Sequence, residues 1–160
     1  MLKIKEIKFD SDEERQVACW LNECEKAGFV DRVLYHAVEY QLSDRIADEK
    51  GRFLLHGHKY SPDFVFCLKT PLKPFQKFFK YRKNIVIDVK GSFSKYHDQK
   101  SFSLNQKWTY ARYGVYVQKV IPEKLFKATF VPEACRYTKK RGQLVKKYLG
   151  CKVVGDWIGK

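Results

Sequence analysis

The sequence predicts an α/β fold, a central mixed β-sheet flanked by helices, and three observations carry that prediction. The run Asn84-Ile85-Val86-Ile87-Asp88-Val89-Lys90-Gly91 alternates as a strand does, with Ile85, Ile87 and Val89 on one face and Val86, Asp88 and Lys90 on the other. A second apolar run, Asp63 to Leu68, follows Pro62, and proline is tolerated at the first position of a strand. Ser103 to Tyr113 reads as a helix closed by Gly114, and Val115 to Ile121 as a strand closed by Pro122. Strand, helix, strand in that order is a parallel crossover.

The other elements follow in chain order. Asp10 or Ser11 can cap a helix running to about Ala27, with Val17, Trp20, Leu21 and Cys24 as its apolar stripe and Gly28 as its stop. Two short strand-like pieces, Arg32 to His36 and Val38 to Leu42, precede a polar loop from Ser43 to Arg52. Phe53 to Gly57 and Asp63 to Leu68 read as strands around a turn. Beyond Pro122 the pattern gives a short helix over Glu123 to Lys127, a basic helix from about Thr138 to Tyr148 and a last strand at Lys152 to Val154. A chain of 160 residues without an internal repeat fits one domain with one core, bearing an insertion at residues 69–84 and a basic C-terminal extension from about residue 123.

Charge narrows the function. The net charge is +14, but residues 1–68 hold 10 basic and 13 acidic residues while residues 69–160 hold 22 and 5. So polarised a field points to a polyanion, and nucleic acid stands ahead of an acidic membrane because no amphipathic anchor accompanies the charge. The bland reading, a solvated surface, usually mixes both signs. No apolar stretch approaches the ~20 residues of a membrane span, and Met1-Leu2-Lys3-Ile4-Lys5 does not read as a signal peptide, so a soluble, cytoplasmic chain is expected. Cysteines 19, 24, 67, 135 and 151 are odd in number and form no Cys-x-x-Cys, which favours reduced packing residues over a disulfide framework or zinc knuckle.

The insertion places Phe75, Phe78, Phe79 and Tyr81 beside Lys73, Lys77, Lys80, Arg82 and Lys83. Rings and cations together suit unpaired bases and their phosphates. Packing of the same rings into the core or a dimer interface is an equal reading. Lys95, Lys139, Lys140 and Arg141 add to the candidate phosphate contacts.

Asp88 and Lys90 pose the chemical question. Two ionisable groups on one face of an apolar strand cost several kcal/mol unless they pair, hydrogen-bond or meet a metal ion. The structural reading is an ion pair within the sheet, with Asp63 a turn residue after Pro62. The chemical reading draws on a resemblance. Asp63 on one strand, then Asp88 and Lys90 on the next, resemble the core of the PD-(D/E)XK nucleases. Ser11-Asp12-Glu13-Glu14, opening a helix ahead of both strands, resembles the Ser-x-x-Glu of several branches of that superfamily. The order Ser-x-x-Glu, Pro-Asp-Phe and Asp-x-Lys-Gly is most similar to small phage-encoded endonucleases, including the junction-resolving type, over residues 9 to about 120.

The resemblance implies a restriction-endonuclease-like core and hydrolysis of DNA phosphodiesters with Mg²⁺, Mn²⁺ substituting. It implies Asp63, Asp88, the Val89 carbonyl and Glu14 as metal ligands, and a catalytic set of Glu14, Asp63, Asp88 and Lys90. Octahedral oxygen coordination with retained waters suits such ligands, and Lys90 would orient the attacking water or neutralise the phosphate. Glu13 competes with Glu14, since at 100° per residue it lies nearer the centre of the apolar stripe, and Ser11 with Glu14 also makes a plain capping box. The spacing of the resemblance selects Glu14. Gln106 and Lys107 on the following helix look like the polar residues that related nucleases set near the scissile phosphate, although Lys107 also reads as a lysine snorkelling from a half-buried face. His56 and His58 alternate on a strand without a matching third ligand, and His97 follows Gly91 by six residues in a loop that nothing fixes.

The implied partner is duplex or branched DNA, in a bacterial host cytoplasm if the chain is phage-encoded. Resolving a Holliday junction takes paired cuts and hence a homodimer. The 24 residues between Asp63 and Asp88 exceed the spacing in compact resolvases, which leaves the substrate class open. A nucleic-acid-binding module without hydrolysis, or a ribonuclease, would use the same charge.

Overall fold

The computed structural model describes residues 1–69, 75, 78–79, 84–92, 96–138 and 142–158, without the side chains of 96–99 and 158. The chain is mixed α/β. Helix α1 (Asp12–Lys26) is followed by strands β1 (Val30–Tyr35), β2 (Tyr40–Ser43), β3 (Ile46–Ala47), β4 (Phe53–Leu55), β5 (His58–Tyr60), β6 (Phe64–Leu68) and β7 (Asn84–Val89). Helix α2 (Tyr96–Tyr113), strand β8 (Val117–Val120) and short helices α3 (Pro122–Ala128), α4 (Glu133–Arg136) and α5 (Val154–Ile158) complete it.

Four strands form a mixed sheet in the order β1-β6-β7-β8, with β6 antiparallel to both neighbours and β7 parallel to β8. The parallel pair is the crossover expected through α2. The alternation in β7 sorts its side chains as the sequence required. Ile85, Ile87 and Val89 enter the main core with α1, while Val86 joins Leu42, Tyr60, Phe102 and Val117 in a smaller cluster under α2. Strands β2 with β5 and β3 with β4 make a nested hairpin, so the stretch from Ser43 to Arg52, expected as a loop, contains a strand. Gly57 is required there, because a Cβ would lie 2.9 Å from the Ser43 carbonyl oxygen.

Helix α1 starts where its cap dictates. The Ser11 hydroxyl accepts from the Glu14 N–H at 3.1 Å, and Gly28, at φ +79°, lets the Phe29 N–H return to the Cys24 carbonyl. Trp20 is the centre of the packed face. It is fully buried, its ring lies 5.6 Å from Phe75 and 5.7 Å from Phe130, and its indole N–H donates to Thr129 Oγ1 at 3.0 Å. Phe75 and Phe79 are therefore core residues, which resolves their two readings in favour of packing.

Residues beyond Pro122 are structural as well as basic. Leu125, Phe126, Phe130, Val131, Cys135 and Tyr148 belong to the main core, and Trp157 packs edge-on against Phe29 and Phe75. Two expectations fail in this segment. The described residues from Thr138 to Tyr148 do not form the expected helix: Tyr137 bridges to Leu144, and Lys146–Tyr148 is one 3₁₀ turn. Val154 starts helix α5 instead of ending a strand. In both places aromatic anchoring to the core outweighs local propensity. Cys19, Cys24, Cys67 and Cys135 are buried free thiols, as expected of packing residues. Among the described residues no helix is long and apolar enough to cross a membrane.

Trp20→Ala is expected to lower unfolding stability by about 3–5 kcal/mol, as aromatic-to-alanine core changes do. The measurement is a urea titration followed by circular dichroism. An unchanged midpoint would show that α1, the insertion rings and the C-terminal segment do not share one core.

Candidate active site

One end of the sheet collects the chemistry because of strand direction. Strands β7 and β8 finish there, antiparallel β6 begins there and β1 finishes beside it. The first turn of α1 reaches the same end. Ser11, Glu13 and Glu14 line a cavity of about 700 Å³ together with Tyr60, Asp88, Val89, Lys90, Gly91 and, from α2, Ser101, Phe102 and Asn105.

Asp88 is 3% exposed. Its Oδ1 accepts from the Tyr60 hydroxyl at 3.0 Å. Its Oδ2 is buried and has no hydrogen-bond donor; the Lys90 ammonium lies 2.5 Å away, in an ion-pair contact not aligned as a hydrogen bond. Lys90 is 28% exposed, so its long stem can carry the ammonium elsewhere.

Asp63 lies one residue before β6, 8% exposed. Its Oδ2 accepts the Val89 N–H across the strand pair, and its Oδ1 lies 3.3 Å from His36 Nε2. Burial, followed by the negative charge of Asp88, raises its carboxyl from 3.8 to about 6.

Glu14 is 7% exposed and well satisfied. Its Oε1 accepts from the Ser11 hydroxyl at 2.7 Å, and its Oε2 accepts from the Tyr35 hydroxyl at 2.6 Å and the Asp10 N–H at 3.2 Å. Burial and the Glu14 carboxylate push the Tyr35 phenol well above its ordinary value. The Tyr35 ring stacks on His36 with centroids 4.1 Å apart, so adjacent residues at the end of β1 grip two different carboxylates. Donor atoms of Asp10, Glu14 and His36 lie within 4.8 Å of one another, the one such trio of His, Cys, Asp or Glu found among the described residues.

Glu14, Asp63, Asp88, Val89 and Lys90 are thus gathered at one end of the sheet, with Glu14 closer to Asp10 and His36 than the expected ligand set had it. Glu13 also lines the cavity, beside Gly91, where a Cβ would stand 3.2 Å from Glu13 Oε1. Gln106 donates to the Val117 carbonyl at 2.6 Å and ties α2 to β8, while Lys107 is exposed; neither lines the cavity. Lys73, Lys77, Lys80, Arg82, Lys83, Lys95, Lys139, Lys140 and Arg141 lie outside the described residues, as do Tyr81 and the His97 side chain. His56 packs against the Phe53 ring, and His58 meets Asn105 Oδ1 at 2.7 Å.

Sequence reading missed Asp10, Tyr35, His36, Tyr60, Lys119 and Lys147. Tyr35-His36 closes an anticipated strand and was a readable signal. Lys119 is opposite Asp88 in the β7–β8 register and sits 6.0 Å over the Phe102 ring; Lys147 lines the cavity from the C-terminal segment. Nothing local marks either one.

The donors fit a hard divalent cation. Asp88 Oδ2, a buried carboxylate oxygen met by the Lys90 ammonium alone, is the kind of atom that a bound cation satisfies when that lysine moves away. Asp88 would be the principal ligand; Asp63 Oδ1, which meets His36 Nε2 at 3.3 Å, would be the next, because Asp63 Oδ2 and both oxygens of Glu14 accept shorter bonds from protein donors.

Between pH 3.8 and about 6 the folded chain holds the Asp63 proton that the unfolded chain releases, so this group's contribution to stability falls as pH rises. At about 1.4 kcal/mol per pH unit, the ionised carboxylate costs on the order of 3 kcal/mol above that window. Asp63→Asn is expected to raise the urea midpoint near pH 7.5 and to leave it nearly unchanged near pH 3, where both forms are neutral. An equal effect at both would show that Asp63 is not the titrating group. No family model, curated protein or solved structure matches this chain, so its chemistry is argued from the arrangement of these side chains.

Proposed function

We propose that the chain is a Mg²⁺-dependent endonuclease of PD-(D/E)XK type that hydrolyses DNA phosphodiester bonds. The observation that carries this reading is Asp88 Oδ2, a buried and undonated carboxylate oxygen beside Lys90, with Asp63 latched to the next backbone N–H. Burying such oxygens is unfavourable for stability alone. It suits a site that spends its charge on a ligand.

The side chains divide the work. Asp88 and Asp63 would hold the cation, which when bound would supply an acidified water and charge for the phosphate. Lys90 moves from Asp88 to a phosphate oxygen or the attacking water, and Lys147 faces the same cavity with a second positive charge. Tyr60, donating to Asp88 Oδ1, fixes which carboxylate oxygen points inward. Glu14 keeps the first turn of α1 against the site through Ser11 and Tyr35. The net charge of +14 holds the backbone of the nucleic acid. Branched DNA is the favoured substrate, with a homodimer delivering paired cuts.

One observation favours the rival reading, a nucleic-acid binder without hydrolysis: both Glu14 oxygens are committed to protein donors. Activity separates the two. Labelled four-way junction, linear duplex, single-stranded DNA and matched RNA are incubated with Mg²⁺, Mn²⁺ or EDTA. Cutting that EDTA abolishes and Asp88→Asn lowers roughly 100-fold or more is the expected result. Salt-sensitive binding without any cutting would leave the binding module, and faster cutting of RNA would replace DNA as the substrate. A linear duplex cut as fast as the junction would remove the preference for branched DNA.

A further inference from the structure

Helix α2 covers the sheet shallowly, and its exposed side is unusual. Among its described side chains only Phe102 and Thr109 are buried, while Leu104, Trp108, Tyr110 and Tyr113 are 42–55% exposed. Exposed large aromatic groups cost free energy unless something else covers them. Trp108 is the telling one. Positions 101, 105, 108 and 112 step by four, three and four residues and so share one face of the helix. Ser101 and Asn105 line the active-site cavity, which makes Trp108 the next position along the same row, about 10 Å from Ser101 at 1.5 Å per residue.

The ring is also held in place. His58, on the neighbouring hairpin, meets Asn105 Oδ1 at 2.7 Å and packs edge-on with Trp108 at 5.8 Å between centroids. Lys107 is exposed beside it, and Arg112 follows one turn on, donating to the Leu42 carbonyl at 3.1 Å and lying 3.7 Å from Asp44. Of the insertion rings first read as a stacking surface, Phe75 and Phe79 do not compete, being buried in the core.

Resting on the nuclease reading above, we propose that Trp108 is a stacking platform for an unpaired nucleotide of the substrate next to the cleaved bond. The occupant is single-stranded nucleic acid because a ring fixed beside the cavity offers its π-surface to a base only when that base is not stacked in a duplex, and because the strongly basic chain complements the phosphates. The contact selects strand ends, flaps or branch points over continuous duplex.

Fluorescence tests this directly. Trp20 is fully buried and Trp157 is half-buried in the core, so Trp108 is the tryptophan that a ligand reaches. Titration with oligo-dT in EDTA is expected to quench emission, and Trp108→Ala to remove that quench and weaken oligo-dT binding roughly tenfold, with duplex binding nearly unchanged. Trp108→Phe, which keeps a ring, is expected to retain most of the affinity, and both variants should keep the wild-type circular dichroism spectrum. Oligo-dT binding that is unchanged in Trp108→Ala would overturn the platform while leaving the nuclease reading intact. Equal losses on oligo-dT and duplex would also overturn it, as would conversion of a dimer to a monomer in light scattering, which would assign this face to a second copy of the chain. Absence of nucleic-acid binding by the wild type would overturn both readings.

Discussion

The hydrogen bond from the Val89 N–H to the Asp63 carboxylate holds the site together. It joins the start of β6 to the end of β7, and it fixes one carboxylate directly beside the Asp88 carboxylate. Burial strips the Asp63 carboxylate of water and the negative charge of Asp88 adds to the cost, which is why the Asp63 proton is retained to about pH 6. Lys90, partly open to solvent, offsets part of that charge. The arrangement is costly when alone and ready for a cation.

The first turn of α1 serves two purposes with the same atoms. Ser11 and Glu14 satisfy each other and the helix start, and Tyr35 ties that pair to β1, so the cap that begins the helix also delivers it to the cavity. Capping and a place at the cavity are therefore not alternatives at Glu14. The carboxylate that ends up 7% exposed at the sheet end does so because the cap places it there.

The two faces of the sheet are unequal, and that asymmetry shapes the surface. Trp20, Phe75, Phe79 and the C-terminal segment fill the α1 side, while the α2 side has a small cluster of Leu42, Tyr60, Val86, Phe102 and Val117. A helix on a small cluster buries little of itself. That leaves Trp108 and Tyr110 exposed, Trp108 one turn beyond the cavity-lining Asn105.

Much was legible in the sequence wherever a signal was local. The period of two in residues 84–90 sorted Asp88 from its apolar neighbours, Ser11 and Gly28 bounded α1, and the order of elements after Asp88 implied the parallel pair β7–β8. Asp63, Asp88 and Lys90 stood out as ionisable groups in apolar strands, whereas Glu14 rested on the resemblance, periodicity having favoured Glu13. Tertiary structure alone decided the rest, because long-range packing sets which residues from distant segments meet. It sent Phe75 and Phe79 inward, gave the tail a 3₁₀ turn and a short helix in place of the expected helix and strand, brought His36 and Tyr60 to the carboxylates, and set Lys147 at the cavity. Periodicity reports which face of an element is apolar; it carries no information on which partner will cover that face.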